Sequence, residues 1–301
     1  MNQDRFGLER LCALFGKSRQ AFYEYCDRQQ NRGIHETLVL GLVAGIRKDL
    51  PRVGAGKLHD MLGESFARHG IKLGRDGFYE LLDRHGMLIR KRKRKPRTTD
   101  SNHPYRKYPN LIRELLLSGP GQLWVSDITY LQLREGFCYL SLITDVYSHK
   151  IVGFCLQPGL HAEGPLQALA MAMAQHPVYE SLIHHSDRGV QYCCGQYVDA
   201  LKEQKVRISM TESGDPYQNQ VAERVNGILK DELGLDQTFD TYQAAQVAAG
   251  SAVERYNKIR PHASVDNLTP EKAHGRQGPL RKRWTNNRRK PSISPPSTGR
   301  S

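Results

Sequence analysis

Apolar positions in the first ninety residues recur at helical spacing, whereas beyond about residue 120 they alternate or run together as strands do. Leu8, Leu11, Cys12 and Phe15 share one helix face, Gly16 breaks that helix, and Ser18 stands where an N-cap would open the next. In this second short helix, residues 19–25, Phe22 is expected inside with Tyr25 beside it, while Arg19 and Gln20 face out. A similar unit follows, with residues 57–61 on one helix, Gly70 and Gly74 as breaks, and Phe78, Leu81 and Leu82 on another. Helix, glycine turn and capped short helix is the helix-turn-helix pattern. One such unit describes many helical hairpins; two of them ahead of a basic run favour DNA binding over helical packing alone.

Residues 90–110 are polar, basic and punctuated by Pro96, Pro104 and Pro109, the composition of a linker. Three β-rich runs come next, residues 123–133, 137–146 and 150–156, the first two joined as a hairpin through Arg134-Glu135-Gly136. A helix is expected over 162–175, a short strand over 182–185, a helix over 195–205 and a strand over 206–210. Two long helices, 218–233 and 241–257, close the region. The order β-β-β-α-β-α-β-α-α predicts a mixed α/β sheet flanked by helices. The chain is thus expected to divide into a helix-turn-helix region (1–89), a basic linker (90–110), a catalytic core (111–273) and a basic, Pro/Ser-rich, mobile tail (274–301).

Composition narrows the class. An apolar fraction of 39% suits a packed core. The longest apolar candidate, residues 38–46, is about half the ~20 residues of a membrane span, and the charged N-terminus has no apolar signal core. Six cysteines without a CxxC pair fit a reduced, cytoplasmic chain. Lys and Arg number 44 against 31 Asp and Glu, a net charge of +13. Counted along the chain, residues 1–120 carry +11, residues 121–270 carry −6 and residues 271–301 carry +8. Basic flanks around an acidic middle point to a polyanion gripped by the flanks. The run at 90–97 has seven basic residues in eight, which repel one another and gain by neutralising phosphate.

The acidic middle holds three carboxylates of interest. Asp127, in Trp124-Val125-Ser126-Asp127-Ile128-Thr129-Tyr130, lies within an apolar strand, where an unpaired charge is costly; for this residue alone, an edge-strand Asp facing water is the plainer reading. Asp187, in His184-His185-Ser186-Asp187-Arg188-Gly189, sits where a strand ends at a turn, a common place for chemistry and equally for ordinary Asp-x-Gly turns. Glu223 opens a helix with an apolar stripe (Val221, Val225, Ile228, Leu229) and a polar stripe (Asn219, Glu223, Asn226, Lys230) at offsets of four, seven and eleven. A solvated face explains the polar stripe easily, yet it places a carboxylate ahead of a lysine able to reach phosphate.

Taken together, these motifs resemble the catalytic core of retroviral integrases and Asp-Asp-Glu transposases. More narrowly, they are similar to the second-frame (orfB) transposases of the IS-three group of bacterial insertion sequences. The resemblance rests on the Asp127 strand, on His185-Ser186-Asp187-Arg188-Gly189-Val190-Gln191-Tyr192 and on Asn219-Gln220-Val221-Ala222-Glu223. Thirty-five residues separate Asp187 from Glu223, Lys230 follows seven after the glutamate, and Tyr256-Asn257-Lys258-Ile259-Arg260-Pro261-His262 with Thr269-Pro270 matches the closing motif. It covers about residues 8–273. The resemblance implies an RNase H-like fold, with Asp127, Asp187 and Glu223 as catalytic and metal-binding residues for two Mg²⁺ or Mn²⁺ ions. It also implies DNA contacts from Lys230, Arg188, Asn219, Arg260 and His262, with Ser18, Arg19 and Gln20 on a terminal repeat and Arg92, Lys93 and Arg94 on phosphate. Double-stranded DNA, as terminal inverted repeats and as target, is the implied partner, bound by a homo-oligomer in the bacterial cytoplasm at the nucleoid.

The departures matter as well. Retroviral integrases carry a zinc-binding His-His-Cys-Cys domain, whereas Cys12 and Cys26 have no His pair at ligand spacing, so no zinc is expected. Adjacent Cys193 and Cys194 suit packing better than chelation of one ion. His184 and His185 have metal-ligating side chains, but a strand end packed beneath the site suits at least one of them better. No leucine-heptad leader stands before Met1, so a first-frame (orfA) protein or fusion is an expected partner. Two other classes compete: an RNase H-like nuclease that hydrolyses without joining, and a non-catalytic DNA-binding regulator derived from a transposase. The recognition units weigh against the first, and the presence of all three carboxylates against the second.

Overall fold

The computed structural model describes residues 8–89, 104–113, 115–176, 181–212 and 219–282. The chain divides into two units, Met1–Lys93 and Arg94–Ser301. In the first, α1 (Leu8–Leu14) ends at Gly16, whose φ of 63° is the left-handed turn glycine adopts without steric cost. Ser18 then caps α2 (Arg19–Asp49), its side chain accepting from the Ala21 N–H at 3.1 Å. Next come α3 (Ala55–Arg68) and α4 (Arg75–Arg84), capped by Gly54 and Gly74. Leu58, Leu62 and Phe66 of α3 meet Phe78, Leu81 and Leu82 of α4 in a buried core that also takes Val39 and Val43 of α2. His59 lies edge-on to Phe66 and Phe78 and bonds the Leu73 carbonyl at 3.0 Å.

The first expected helix-turn-helix needs correcting. The helix opened by Ser18 runs for 31 residues rather than about seven. Phe22 and Tyr25 are 39% and 55% exposed rather than packed, and of the α1 stripe Cys12 is buried while Leu11 and Phe15 are exposed. Three interior glycines, Gly33, Gly41 and Gly45, cost a helix roughly 1 kcal/mol each. Burying Val39 and Val43 at its far end offsets that cost, which a local reading of the first turns cannot anticipate.

The second unit is built on a sheet. Its strands and helices are β1 (Leu123–Leu133), β2 (Phe137–Asp145), β3 (Ile151–Gln157), α5 (Glu163–Gln175), β4 (Ile183–Ser186), α6 (Val190–Cys193), α7 (Gly195–Glu203) and β5 (Arg207–Met210), followed by α8 (Gln220–Asp231), β6 (Thr238–Phe239), α9 (Tyr242–Lys258) and α10 (Pro270–His274). Strand order is β3-β2-β1-β4-β5, with β1, β2 and β3 antiparallel and β4 and β5 parallel to β1. This is the RNase H-like arrangement. One core, around Trp124, Ala168, Leu182, Tyr197 and Met210, joins the sheet to α5 and α7. The close approach of α5 requires Gly153 in β3, because a Cβ there would drive into the Ala168 carbonyl oxygen. The short elements α6, β6 and α10 have no counterpart among the elements expected from hydrophobic periodicity.

Both ends of the expected catalytic core also move. Residues 90–103 of the linker, with Arg92, Lys93 and Arg94, lie outside the described residues. Its end is part of the second unit: the Pro109 carbonyl accepts from the Met210 N–H at 3.3 Å. Likewise the tail does not become free after Ala273. The Gly278 N–H donates to the Ser118 carbonyl at 2.7 Å, the Tyr147 hydroxyl donates to the Gly278 carbonyl at 2.7 Å, and the Arg281 carbonyl accepts from the Asp266 N–H at 2.9 Å. Among the described residues no helix is long and apolar enough to cross a membrane.

Candidate active site

Parallel pairing of β1 and β4 sets Trp124 opposite His184 and Val125 opposite His185. Continuing that register by two places puts Asp127 on β1 level with Asp187, the first residue beyond β4. Two carboxylates thus stand side by side, Asp127 within β1 and Asp187 just past the end of β4. Asp127 Oδ1 accepts from the Ile128 N–H at 3.0 Å, and Asp187 Oδ1 accepts from the Gly189 N–H at 2.9 Å in the turn leading to α6.

Helix α8 brings the third. On this edge of β1, strand pairing stops at Val125 and resumes at Gln132, opposite β6. The polar stripe of α8 runs along the gap. Asn219, the helix cap, turns its Nδ2 to the Ser126 carbonyl at 3.1 Å, while its own carbonyl accepts from the Glu223 N–H at 3.1 Å. Asn226 Nδ2 donates to Asp127 Oδ2 at 2.7 Å. Lys230 sets its Nζ 4.1 Å from the centroid of the Tyr130 ring. Glu223 lies between the two asparagines on the same helical face, one turn from each. Asn226, which the sequence marks only as a member of the polar stripe, is therefore what joins α8 to Asp127; its offset of three from Glu223 was the available signal.

Beneath the carboxylates the support is neutral. Ser126 Oγ and Tyr197 Oη both hydrogen-bond His184 Nε2, at 2.7 and 2.9 Å, and His185 Nδ1 bonds Ser209 Oγ at 2.8 Å. Burial pushes His184 down to about 3, so the ring is uncharged. The Tyr192 hydroxyl is buried with no hydrogen-bond partner among the described residues. Burial first, then Tyr197, Asp127 and Asp187, raise its phenol well above the usual value, so it keeps its proton.

Low histidine pKa values have a consequence for stability. His149, driven down to about 4 by burial and then by the charges of Arg260 and Lys282, joins His184 in preferring the neutral form when folded. The unfolded chain, with histidines near 6.5, therefore binds more protons, and stability is lost as pH falls from about 6.5 towards 4. Thermal unfolding followed across that window is expected to show a falling midpoint; a flat profile would contradict charge-free burial of these rings.

Other expected site residues are placed differently. Arg260 is 1% exposed: its Nε and Nη2 grip Glu232 Oε2 and Oε1, each at 2.8 Å, and its Nη1 donates to the Pro261 carbonyl and to His262 Nε2 at 2.9 Å. His262 is buried against Tyr256 and stacked on His149. Both side chains are buried rather than turned to solvent, and the contacts they make fasten the end of α9 to the end of α8. Asn219 is likewise buried, spanning α8 and β1. Arg188 and Lys230 remain half-buried beside the site. Ser18 is engaged in capping, Arg19 is exposed, and Gln20 donates to Glu24 at 3.0 Å. Asp145, also acidic and nearby in sequence, is wholly buried and accepts from the Gly121 N–H, the Ser148 N–H and the Ser148 hydroxyl. It is a structural carboxylate.

The donor set suits a hard divalent cation. Asp127, Asp187 and Glu223 offer carboxylate oxygens, and Asn219 Oδ1 and Asn226 Oδ1 are buried oxygens with no hydrogen-bond partner among the described residues. As placed, no three His, Cys, Asp or Glu side chains among the described residues converge closely enough to hold an ion. Like charges keep apart, and Asp127 and Asp187 are each turned onto a neutral N–H donor. The loop 213–218, before α8, lies outside the described residues.

Two integrase core domain models match, one over residues 118–216 and the other over 204–270. The insertion element IS600 uncharacterized 31 kDa protein of Shigella sonnei is 34% identical over 86% of this chain and 96% of its own. Transposase InsF for insertion sequence IS3A of Escherichia coli strain K12 is 28% identical over 90% of this chain and 94% of its own. The structure of the HTLV-2 integrase catalytic core domain in complex with magnesium covers 52% of this chain and 97% of its own, at 16% identity and a TM-score of 0.43.

Proposed function

Because the chain belongs to the transposases of IS3-type insertion sequences, which carry an integrase core domain, we propose that Asp127, Asp187 and Glu223 form one site that cuts DNA at the element ends and joins the freed 3′-OH to target DNA. The observation that carries this reading is the meeting of β1, β4 and α8: Asp127 and Asp187 at matching register, and Glu223 between two asparagines that bind β1. Divalent-metal dependence accompanies the integrase core; the finer reading is Mg²⁺ or Mn²⁺, two ions held by the three carboxylates. When bound, such ions supply Lewis acidity at the phosphoryl group and at the attacking and leaving oxygens.

The chain's own residues do the rest. Asn226 fixes the rotation of Asp127 by holding Oδ2, and the Gly189 N–H does the same for Asp187. Asn219 fixes the start of α8 against β1, so Glu223 is presented on a rigid element. Lys230 and Arg188 offset phosphate charge. Water displaces the 3′ oxygen of the phosphodiester, which leaves as a 3′-OH; that hydroxyl then attacks a target phosphodiester, displacing another 3′ oxygen. Partners in this reading are duplex DNA, further copies of the chain and a first-frame protein or fusion, in the cytoplasm at the nucleoid.

An assay on labelled end DNA with Mg²⁺ tests it. Products longer than the labelled strand are expected from joining; shortened products alone would point to a nuclease. Salt dependence tests the basic run. Replacing Arg92, Lys93 and Arg94 by Ala is expected to make the slope of log affinity against log salt shallower by ~0.9 for each phosphate no longer neutralised, without changing sequence preference. An unchanged slope would mean that the run touches no phosphate.

A further inference from the structure

Beyond Glu223 the polar stripe of α8 ends at a partly exposed aromatic pair. Tyr130 on β1 and Phe137 at the start of β2 are 40% and 47% exposed, their rings edge-to-face with centroids 5.3 Å apart. Diagonal aromatic pairs support hairpins in general. Support of the hairpin explains neither the exposure of both rings nor the Lys230 ammonium set 4.1 Å from the Tyr130 centroid.

We propose that Tyr130 and Phe137, with Lys230, form a ledge on which an unpaired nucleobase of the DNA strand entering the site stacks. The inference rests on the reading of the site given above and adds a residue-level contact to it. A nucleotide presents an apolar, polarisable plane next to a negative phosphate, and the ledge presents aromatic rings next to a positive ammonium. Stacking away from the very end needs a base released from its partner, because a paired base inside the duplex has both faces covered by its neighbours. The distance fits as well. Glu223 to Lys230 spans two helical turns, ~10.5 Å, and Lys230 sits at the Tyr130 ring. With ~3.4 Å per nucleotide along a strand, the stacked base lies about three nucleotides from the phosphate being cut. Every base has a π-face, so the contact is independent of sequence and favours ends that open easily.

The test uses the full chain and two short duplexes of the same arbitrary sequence, one fully paired and one with a few unpaired nucleotides at an end. 2-Aminopurine in the terminal segment reports stacking by quenching. The wild type is expected to bind the open-ended duplex roughly 5- to 150-fold more tightly than the paired one, with 2-aminopurine quenched on binding. Tyr130→Leu is expected to remove both preference and quenching while binding the paired duplex as before; Tyr130→Phe keeps both. Phe137→Leu, tested beside it, is expected to lower the preference in part, and serves should Tyr130→Leu not fold. Wild-type preference and quenching in the Leu variants would overturn the ledge, as would a wild type that does not distinguish the duplexes. If Mg²⁺-dependent cutting persists in that case, only the ledge fails. No binding of either duplex by the wild type would overturn the DNA-processing reading along with it.

Discussion

Asp127→Asn, Asp187→Asn and Glu223→Gln are each expected to lower end cleavage and strand transfer by at least about 10³-fold, with effects that do not add, because the three carboxylates act as a unit. Each change keeps side-chain size and removes one negative charge. Local bonding is largely kept: an amide oxygen at 187 still accepts from the Gly189 N–H, and one at 127 still accepts from the Ile128 N–H, while the new amide nitrogen at 127 faces Asn226, whose side chain must flip to present its Oδ1. Fold and DNA binding are therefore expected to persist, and mutual repulsion falls, so the melting temperature in metal-free buffer should not drop. Gel assays of cleavage and joining, with circular dichroism as the folding control, check this. Near-wild-type cleavage by any of the three would remove that residue from the site.

Arg260→Ala is expected to destabilise the second unit by about 3–5 kcal/mol, since it leaves Glu232 without its guanidinium partner in a largely water-free setting. The damage extends beyond charge. Arg260 also donates to the Pro261 carbonyl and to His262, whose ring packs on Tyr256 and His149. Arg260→Lys should recover only part, because an ammonium cannot make the paired bonds of the planar fork. Denaturant unfolding measures both. If Arg260→Ala unfolds like the wild type yet fails to bind DNA, the residue is a phosphate contact after all.

That residue shows where the sequence stopped being legible. An arginine followed by Pro-His at a helix end looks the same whether its partner is a phosphate or Glu232, which lies 28 positions earlier. Only the packing of α8 against α9 decides between them. Asp145 is a similar case: nothing in its own segment announces that Gly121 and Ser148 aim three donors at it. By contrast β1, β2 and β3 were readable almost to the residue, because apolar runs bounded by turn residues set strand limits locally. The polar stripe of α8 was readable too, since helical spacing alone aligns Asn219, Glu223, Asn226 and Lys230. Its division of labour was not: nothing in the spacing tells the two asparagines that grip β1 from the glutamate between them. The length of α2 was hidden because what sustains the helix past its first turns is burial of Val39 and Val43 at its far end.

The claim that the three carboxylates make one cation site is tested most directly by metal binding, without any turnover. Mn²⁺ is titrated into the full chain and into Asp127→Asn, Asp187→Asn and Glu223→Gln, with free Mn²⁺ followed by electron paramagnetic resonance. Saturable binding by the wild type and its loss in each single variant is the expected result; binding of Mn²⁺ by all three variants as by the wild type would contradict it.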